Sequence, residues 1–290
     1  MRFSITCRDA GGLVSSLERG LRLLVHSNLF ISLSTVSVAV TTLVLAELSL
    51  EFFPLFVVFA ATMFVYSSNR VTDLAEDERN VPRRAAFTKR YGRRWLAFGV
   101  GLYLLAIGLA IVAGVQGAVY LLLPLVAAVL YSVIGIKRIF LVKNGFVGAA
   151  WGLLPLGVGY YYSVLWSVEI LFLAGYVAAM ITVAAVIFDI KDIEGDRAEG
   201  IATVPTVVGP RRTRLVSQAA NVLIAAVVVG LVAVDAVSGT VLAVLAMNGY
   251  VAAYIPFADP DRGPLFYGFV VDGEHVFLAA VVLGLEWLVW

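Results

Sequence analysis

The sequence predicts an all-α integral membrane protein in which nine transmembrane helices form a bundle. The 290 residues are 61% hydrophobic and only 14% charged, whereas soluble domains carry about 25% charged residues. The apolar residues are gathered into runs close to the roughly 20 residues that cross a bilayer. The basic residues fall into alternate connections between those runs, as they do in multi-pass membrane proteins.

The apolar runs begin after a polar amino-terminal stretch, and they define the spans in chain order. Residues 1–22 carry four arginines, and we expect them to form a cytoplasmic arm with a short interfacial helix. Residues 23–290 then form one transmembrane domain. The nine predicted spans are 27–46, 51–68, 95–114, 117–135, 146–165, 168–188, 215–234, 237–257 and 274–290.

The charge distribution gives the spans an orientation. With nine spans, the amino terminus and the connections after the second, fourth, sixth and eighth spans lie on one side of the membrane. All 21 Lys and Arg residues fall on that side, while the opposite loops carry acids such as Glu47 and Asp235. Because basic loops stay in the cytoplasm, we expect this side to be cytoplasmic and the protein to lie in the cell membrane. The first eight spans then form two parallel four-helix units, with the ninth appended.

Two clusters of acidic and amide side chains follow apolar runs that end on the cytoplasmic side. Their spacing places the side chains of each cluster on one face of a helix. Like charges gathered at the end of an apolar helix are costly unless a positive charge lies between them. Oxygen ligands of this kind suit Mg²⁺ ions that share a diphosphate, so both clusters are predicted metal ligands. The clusters are Asn69, Asp73 and Asp77 after the second span, and Asp189, Asp192 and Asp196 after the sixth.

Basic side chains are expected beside such ligands, since Lys and Arg compensate phosphate charge and stabilise a diphosphate leaving group. Lys137, Arg138 and Lys143 share the short connection after the fourth span, and Arg70 lies inside the first cluster. We predict that these four residues bind the diphosphate. The alternative for each is a role in topology alone, because cytoplasmic loops are basic in any case.

Other polar and aromatic residues lie near the same ends of the spans. Asn28 is a candidate substrate contact. Tyr66 is a candidate for cation stabilisation, because an aromatic face attracts a carbocation as it does an ammonium group. His26 and His275 have no partner at metal-ligand spacing, and we expect both to be structural.

Together, the two clusters resemble the paired motifs of the UbiA superfamily of intramembrane prenyltransferases. In that family N/D-x-x-x-D-x-x-x-D follows the second span, and D-x-x-D-x-x-x-D follows the sixth. The stretch from Glu194 to Gly209, with Thr203 and Pro205, is also similar to the family's E-G-D-R-x-x-G run and the T-x-P and G beyond it. The segment after the fourth span is a looser match.

The resemblance implies nine helices around a central cavity that opens laterally to lipid, with cytoplasmic loops over it. It implies that the six cluster residues hold Mg²⁺ and a prenyl diphosphate. It further implies that an allylic diphosphate ionises, that an acceptor attacks the allylic carbon, and that a proton is then lost. Two departures concern the loop shape and the acceptor site: Arg70 replaces a second Asn or Asp, and Ala85-Ala86-Phe87 replaces a Pro-containing stretch ending in Gly.

The leading hypothesis is therefore a Mg²⁺-dependent prenyltransferase with a prenyl diphosphate donor and a lipophilic or aromatic acceptor. Four acceptor classes remain open: a quinone-precursor ring, a glyceryl-phosphate ether lipid, a chlorin and a carotenoid. Membrane lipid is an expected partner and nucleic acid is not, while the oligomeric state and the acceptor-binding residues are not indicated. An intramembrane terpene cyclase would use the same ionisation.

Two alternatives from other classes make different demands on the sequence. A transporter with a cation-binding mouth would need ionisable residues near the bilayer midplane. The acids and bases lie at the span ends instead, apart from Glu286 near the far end of the ninth span. An inactive partner protein that kept the fold would not need both complete ligand sets.

Overall fold

The computed structural model describes residues 18–288, without the side chains of Glu76, Ser132, Val133 and Lys137. Most of the predicted amino-terminal arm lies outside this range, and its last residues begin a helix at Glu18. The described residues form helices and turns without a β-strand, which confirms the all-α prediction. The α-helices are α1 Glu18–His26, α2 Leu29–Leu45, α3 Phe52–Thr72, α4 Leu74–Asn80, α5 Pro82–Val112, α6 Leu123–Ala128, α7 Val142–Tyr161, α8 Val168–Phe188, α9 Ile193–Ala198, α10 Val204–Val208, α11 Pro210–Ala233, α12 Leu245–Tyr254 and α13 Glu274–Leu288.

Short 3₁₀ and π segments extend several of these helices. Three lie around the predicted fourth span: Ala118–Leu122, Val129–Val133 and Ile136–Arg138. Three more lie near the carboxyl end: Gly239–Val244, Ile255–Phe257 and Phe266–Val271. Such segments change the helical pitch locally, so they redirect side chains without ending the span.

Six helices among the described residues are long and apolar enough to cross a membrane, which makes this a multi-pass membrane protein. A seventh crossing results if α1 and α2 are one span with a bend of 72°. The predicted fourth span is a shorter, broken helix over Ala118–Tyr131. The fifth corresponds to α7, which has 20 residues but is not among the six. The count of nine spans therefore stays a prediction.

Helix α5 departs most from its predicted bounds, since it begins at Pro82 and the span was placed at 95–114. Proline is favoured in the first turn of a helix because it lacks an N–H that would have no partner there. The residues that follow are rich in arginine, which is a good helix former. As a result the helix continues beyond the apolar stretch that predicted it.

Helix α8 lies at the centre of the packing around the site. It packs closely on α7, where glycines allow the two backbones to approach. A Cβ atom added at Gly148 would lie 2.4 Å from the carbonyl oxygen of Ala178, and one added at Gly152 would lie 2.9 Å from that of Ala174. On its other side α8 packs against α11, and its Met180 and Ile187 are fully buried in the main hydrophobic core. This packing fixes the end of α8, where the second acidic cluster begins.

Candidate active site

Both acidic clusters lie at helix breaks. Helix α3 ends at Thr72, so that Asp73 is its C-cap and Asp77 lies in the short α4. Helix α8 ends at Phe188, and Asp189 to Asp192 form a turn before α9. The prediction of one continuous helical face for each cluster is therefore wrong. The chain changes direction where the charged side chains follow the apolar span. Hydrogen bonds between residues three apart, such as that from the N–H of Asp192 to the carbonyl oxygen of Asp189 at 3.2 Å, replace the four-residue spacing of the α-helix there.

The two clusters are neighbours in space although about 120 residues separate them in the chain. Helix α4 packs directly against α9. Arg79 of α4 forms an ion pair with Glu199, just beyond the end of α9. A Cβ atom added at Gly195 would lie 2.0 Å from Oδ1 of Asn80, so the two segments touch at a glycine. The structure thus brings together the two motifs that the sequence analysis paired.

The second cluster is organised around Lys143, which projects from the first turn of α7. Its Nζ lies 2.7 Å from Oδ1 of Asp189 and 4.0 Å from Oδ2 of Asp196. Asn144 donates from Nδ2 to the other oxygen of Asp189, at 2.9 Å. Asp192 is paired with its neighbour Lys191. Three of these six side chains, those of Asp189, Asp196 and Asn144, are buried.

Burial sets the electrostatics of the second cluster. It raises the pKa of Asp196 to about 6, against the opposing effect of Lys143. It also raises the pKa of Asp189, although Lys143 and Asn144 act in the other direction. Burial alone would lower the pKa of Lys143, but the facing carboxylates outweigh it and the pKa lies above its usual value. The pocket therefore favours a bound cation, because desolvated carboxylates gain most from a positive charge.

The first cluster is organised around Asp77, which is also buried. Arg84 donates two hydrogen bonds to its carboxylate, and the one from Nε to Oδ2 is 2.9 Å long. Arg70 places Nη1 4.0 Å from the same carboxylate, and its Nε donates to Oδ1 of Asn28 at 3.4 Å. Asp73 lies in a partly exposed position, and its backbone N–H donates to the carbonyl oxygen of Asn69 at 2.8 Å.

A cavity of ≈ 50 Å³ adjoins both clusters. Arg70 and Arg84 from the first side and Lys191 from the second contribute basic groups to its wall. The candidate contacts Asn28 and Tyr66 line it as well. The structure therefore joins an anion-attracting wall to the two carboxylate clusters, as binding of a metal diphosphate requires.

The four predicted diphosphate ligands are placed differently. Arg70 lines the cavity, and Lys143 lies inside the second cluster. Arg138 lies at the edge, exposed, with Nη2 4.0 Å from Oε2 of Glu199. The side chain of Lys137 lies outside what the structure describes.

Sequence reasoning missed one carboxylate of the cavity wall, Asp272. It directly follows the apolar pair Val270-Val271 and precedes the predicted ninth span. That position resembles the two clusters in one respect, because an acid again stands at the end of an apolar run. Asp272 and the nearby Glu274 do not have the spacing of the two clusters, however, and the packing of their segment beside α2 brings Asp272 to the site.

The carboxylates of the site differ in how freely they could bind a metal ion. Among the side chains of residues 18–288 that the structure describes, no three His, Cys, Asp or Glu are arranged to hold one directly. Basic partners take up most of the carboxylates instead. Two buried oxygens, Oδ1 of Asp192 and Oδ2 of Asp196, nevertheless have no hydrogen-bond partner in the part of the chain that the structure describes. Unpaired buried carboxylate oxygens are costly, so these residues fit a hard cation such as Mg²⁺.

The helices and the paired acidic clusters define a multi-pass membrane protein with a polar site where two helix breaks meet. The sequence profile of the UbiA prenyltransferase family matches residues 29–287. The chain therefore belongs to the UbiA prenyltransferase family, as the motifs predicted. No curated protein sequence matches the chain at a significant level.

Three solved structures have a similar fold. The apo structure of a UbiA homologue from Aeropyrum pernix K1 is 16% identical, with a TM-score of 0.64 over 87% of this chain and 97% of the homologue. A UbiA homologue from Archaeoglobus fulgidus bound to GPP and Mg²⁺ is 14% identical, with a TM-score of 0.61 over 91% and 98%. A digeranylgeranylglyceryl phosphate synthase is 16% identical, with a TM-score of 0.56 over 91% and 95%.

Proposed function

We propose that this protein is a Mg²⁺-dependent intramembrane prenyltransferase. It would move a polyprenyl group from an allylic prenyl diphosphate to a lipophilic or aromatic acceptor. The observation that carries the proposal is the contact between helices α4 and α9, which brings the two acidic clusters into one region with a basic cavity wall beside them. The family membership supports the reaction class, and the GPP and Mg²⁺ bound to the Archaeoglobus homologue support the donor and the metal.

Within this proposal the six cluster residues hold two or more metal ions. Asp192 and Asp196 have the carboxylate oxygens best placed to accept one, because one oxygen of each has no hydrogen-bond partner among the described residues. Bound there, Mg²⁺ would neutralise the charge that develops on the diphosphate as its bond to carbon breaks. Once a metal takes the carboxylates, Lys143 and Arg84 become available to phosphate oxygens, alongside Arg70 and Lys191.

The surrounding residues would protect the reactive allylic group. Helices α3 and α8, which lead to the site, are largely apolar, so they would exclude the water that captures a carbocation. Tyr66 presents an aromatic ring to the same cavity, where it would favour a positive charge. We also propose the finer architecture on the sequence pattern: nine spans, with both clusters on the cytoplasmic side of the cell membrane.

The proposal is tested with purified protein in liposomes that contain Mg²⁺ and labelled geranyl, farnesyl or geranylgeranyl diphosphate. The acceptors are a hydroxylated aromatic acid, a geranylgeranyl glyceryl phosphate, a chlorophyllide and lycopene, with a chelated sample as control. We expect Mg²⁺-dependent release of diphosphate and a labelled product with one acceptor class. A cyclised hydrocarbon without any acceptor would indicate the terpene cyclase alternative. No release from any of the donors would contradict the proposal.

A further inference from the structure

The carboxylate of Asp272 faces the cavity and has no part in the proposed metal or diphosphate binding. Its backbone is held in place from both sides. The N–H of Asp272 donates to the carbonyl oxygen of Tyr267 at 3.2 Å, and its own carbonyl oxygen accepts from Oγ of Ser34 at 2.6 Å. A Cβ atom at the next residue, Gly273, would lie 2.4 Å from the carbonyl oxygen of Phe269. The position of Asp272 is therefore built into the fold.

The surroundings of this carboxylate are positively charged. Arg70, Lys191 and Arg84 all interact with it electrostatically. Among the described residues that line the cavity it is the single carboxylate, and its side chain makes no hydrogen bond or ion pair with other described residues. An ionised carboxylate can only accept protons and hydrogen bonds. Asp272 thus offers the cavity a fixed proton acceptor that no protein group occupies.

The proposed reaction needs such a group whichever acceptor is used. The bond from the allylic carbon to the diphosphate oxygen breaks, and its electron pair leaves with the diphosphate. An electron pair of the acceptor forms the new bond to that carbon. The acceptor atom that formed this bond, or a neighbouring atom of the acceptor, then gives up a proton. A cyclase would also have to lose a proton from its final carbocation, unless water captured it.

We propose that Asp272 is the residue that takes up this proton. The inference rests on the proposed function. The cluster carboxylates are less suited, because Asp77 and Asp189 are already held by basic side chains and are needed for the metal. Glu274 is also less suited, because it is only 1% exposed and accepts a hydrogen bond from Tyr254. The released diphosphate is the competing base, and the experiment is designed to separate the two.

The test compares Asp272→Asn and Asp272→Glu with the wild type and with Asp261→Asn, whose carboxylate is exposed on a nearby loop. Two quantities are measured for each protein in Mg²⁺. The first is the affinity for labelled geranylgeranyl thiodiphosphate, a donor that does not react readily. The second is the rate at which geranylgeranyl diphosphate is converted into a final product, either a prenylated acceptor or a cyclised hydrocarbon, with loss of diphosphate and of a proton.

We expect Asp272→Asn to bind the thiodiphosphate at least as tightly as the wild type, since a negative charge has left the cavity. Its product rate should fall by about 10²- to 10⁴-fold, the usual contribution of a positioned base. Asp272→Glu should recover part of the rate, and Asp261→Asn should match the wild type. This separation of binding from turnover would not arise if Asp272 only supported the fold.

Three results would overturn the inference in distinguishable ways. An unchanged product rate in Asp272→Asn would mean that the diphosphate or water takes the proton. A parallel loss of donor binding and product formation would show that Asp272 is needed for the structure of the site. No diphosphate release by the wild type would refute the proposed function itself, and the role of Asp272 with it.

Discussion

At the scale of single residues, the candidate site is a set of carboxylates held by basic side chains. Lys143 faces Asp189 and Asp196, and Arg84 faces Asp77. Without these cations the buried carboxylates would repel each other, and nothing would compensate for the water that they lose on burial. In the function that we propose, the same side chains would bind phosphate oxygens when the carboxylates hold a metal. One group of residues would therefore stabilise the fold before binding and the ligand afterwards.

Replacing Lys143 by Met should show that Lys143 stabilises the fold before any ligand binds. Removing one partner of a buried ion pair costs about 3–5 kcal/mol, because the other charge is left uncompensated. We expect Lys143→Met to lower the free energy of unfolding in mixed micelles by that amount when Mg²⁺ is absent, and by less when Mg²⁺ is present. Lys89→Met is the matched control, since Lys89 pairs with Glu78 at the exposed surface. It should cost at most about 1 kcal/mol. Equal losses in the two variants would contradict the prediction.

The sequence was sufficient to pair the two clusters, because each contains several acids at close spacing after an apolar run. It also indicated Lys143, Arg70, Asn28 and Tyr66 as neighbours of the site, and the structure places all four there. Asp272 could not be predicted, because Asp272 and Glu274 lack the spacing of the two clusters and the position of Asp272 depends on tertiary packing. Which base contacts which acid also depends on packing between segments distant in the chain.

At the scale of secondary-structure elements, the site depends on how closely α7 approaches α8. Lys143 starts α7 and Asp189 follows α8, so the distance between these helices sets the distance between the two charges. Gly148 and Gly152 allow the approach, because added Cβ atoms would meet the backbone of α8. Close packing through small residues is a common way for helices to associate in membranes.

Replacing Gly148 by Ala should therefore separate the helices and disturb the site. The new methyl group would lie 2.2 Å from Oγ1 of Thr182 and 2.4 Å from the carbonyl oxygen of Ala178. Overpacking of this kind costs about 1–3 kcal/mol, and donor binding should weaken as well. Gly157→Ala is the matched control on the same helix, because no atom lies within 4 Å of its added Cβ. We expect that variant to be as stable as the wild type or slightly more so. A result in which both substitutions behave alike would contradict the role of the contact.

The sequence predicted most helices, but it did not predict how they begin, bend and break. The run at 168–188 coincides with α8, since it is largely apolar after Glu169 and is bounded by Ser167 and Asp189. The run at 117–135 became a 3₁₀, an α and a π segment, because hydropathy carries no information on helical pitch. The breaks at Asp73 and at Asp189 to Asp192 were missed, because the spacing of the acids is equally compatible with an unbroken helix.

At the scale of the whole molecule, the distribution of charge determines the orientation that we propose. All 21 basic residues fall on one side of the nine-span topology, which is the pattern of cytoplasmic loops. The orientation matters for function, because it would present both clusters to prenyl diphosphates made in the cytoplasm. Since six helices within residues 18–288 are long and apolar enough to cross a membrane, the proposed topology is tested by labelling.

Cysteine labelling in intact cells provides that test. The chain has a single cysteine, Cys7, which is first replaced by Ser. A cysteine is then placed at Ala236 or at Asp261, both of which are exposed at opposite ends of the predicted eighth span. We expect a membrane-impermeant maleimide to label the Ala236 variant from outside, and the Asp261 variant only after the cells are opened. Labelling of both variants from the same side would contradict the topology.

In the function that we propose, the two acidic clusters act together on an allylic diphosphate. The most direct measurement is the rate of diphosphate release from geranylgeranyl diphosphate, with and without Mg²⁺, for the wild type, Asp73→Ala, Asp192→Ala and the exposed control Asp261→Ala. We predict release that requires Mg²⁺, is lost in both cluster variants and is retained in the control. Release that persists without Mg²⁺, or in either cluster variant, would contradict the claim.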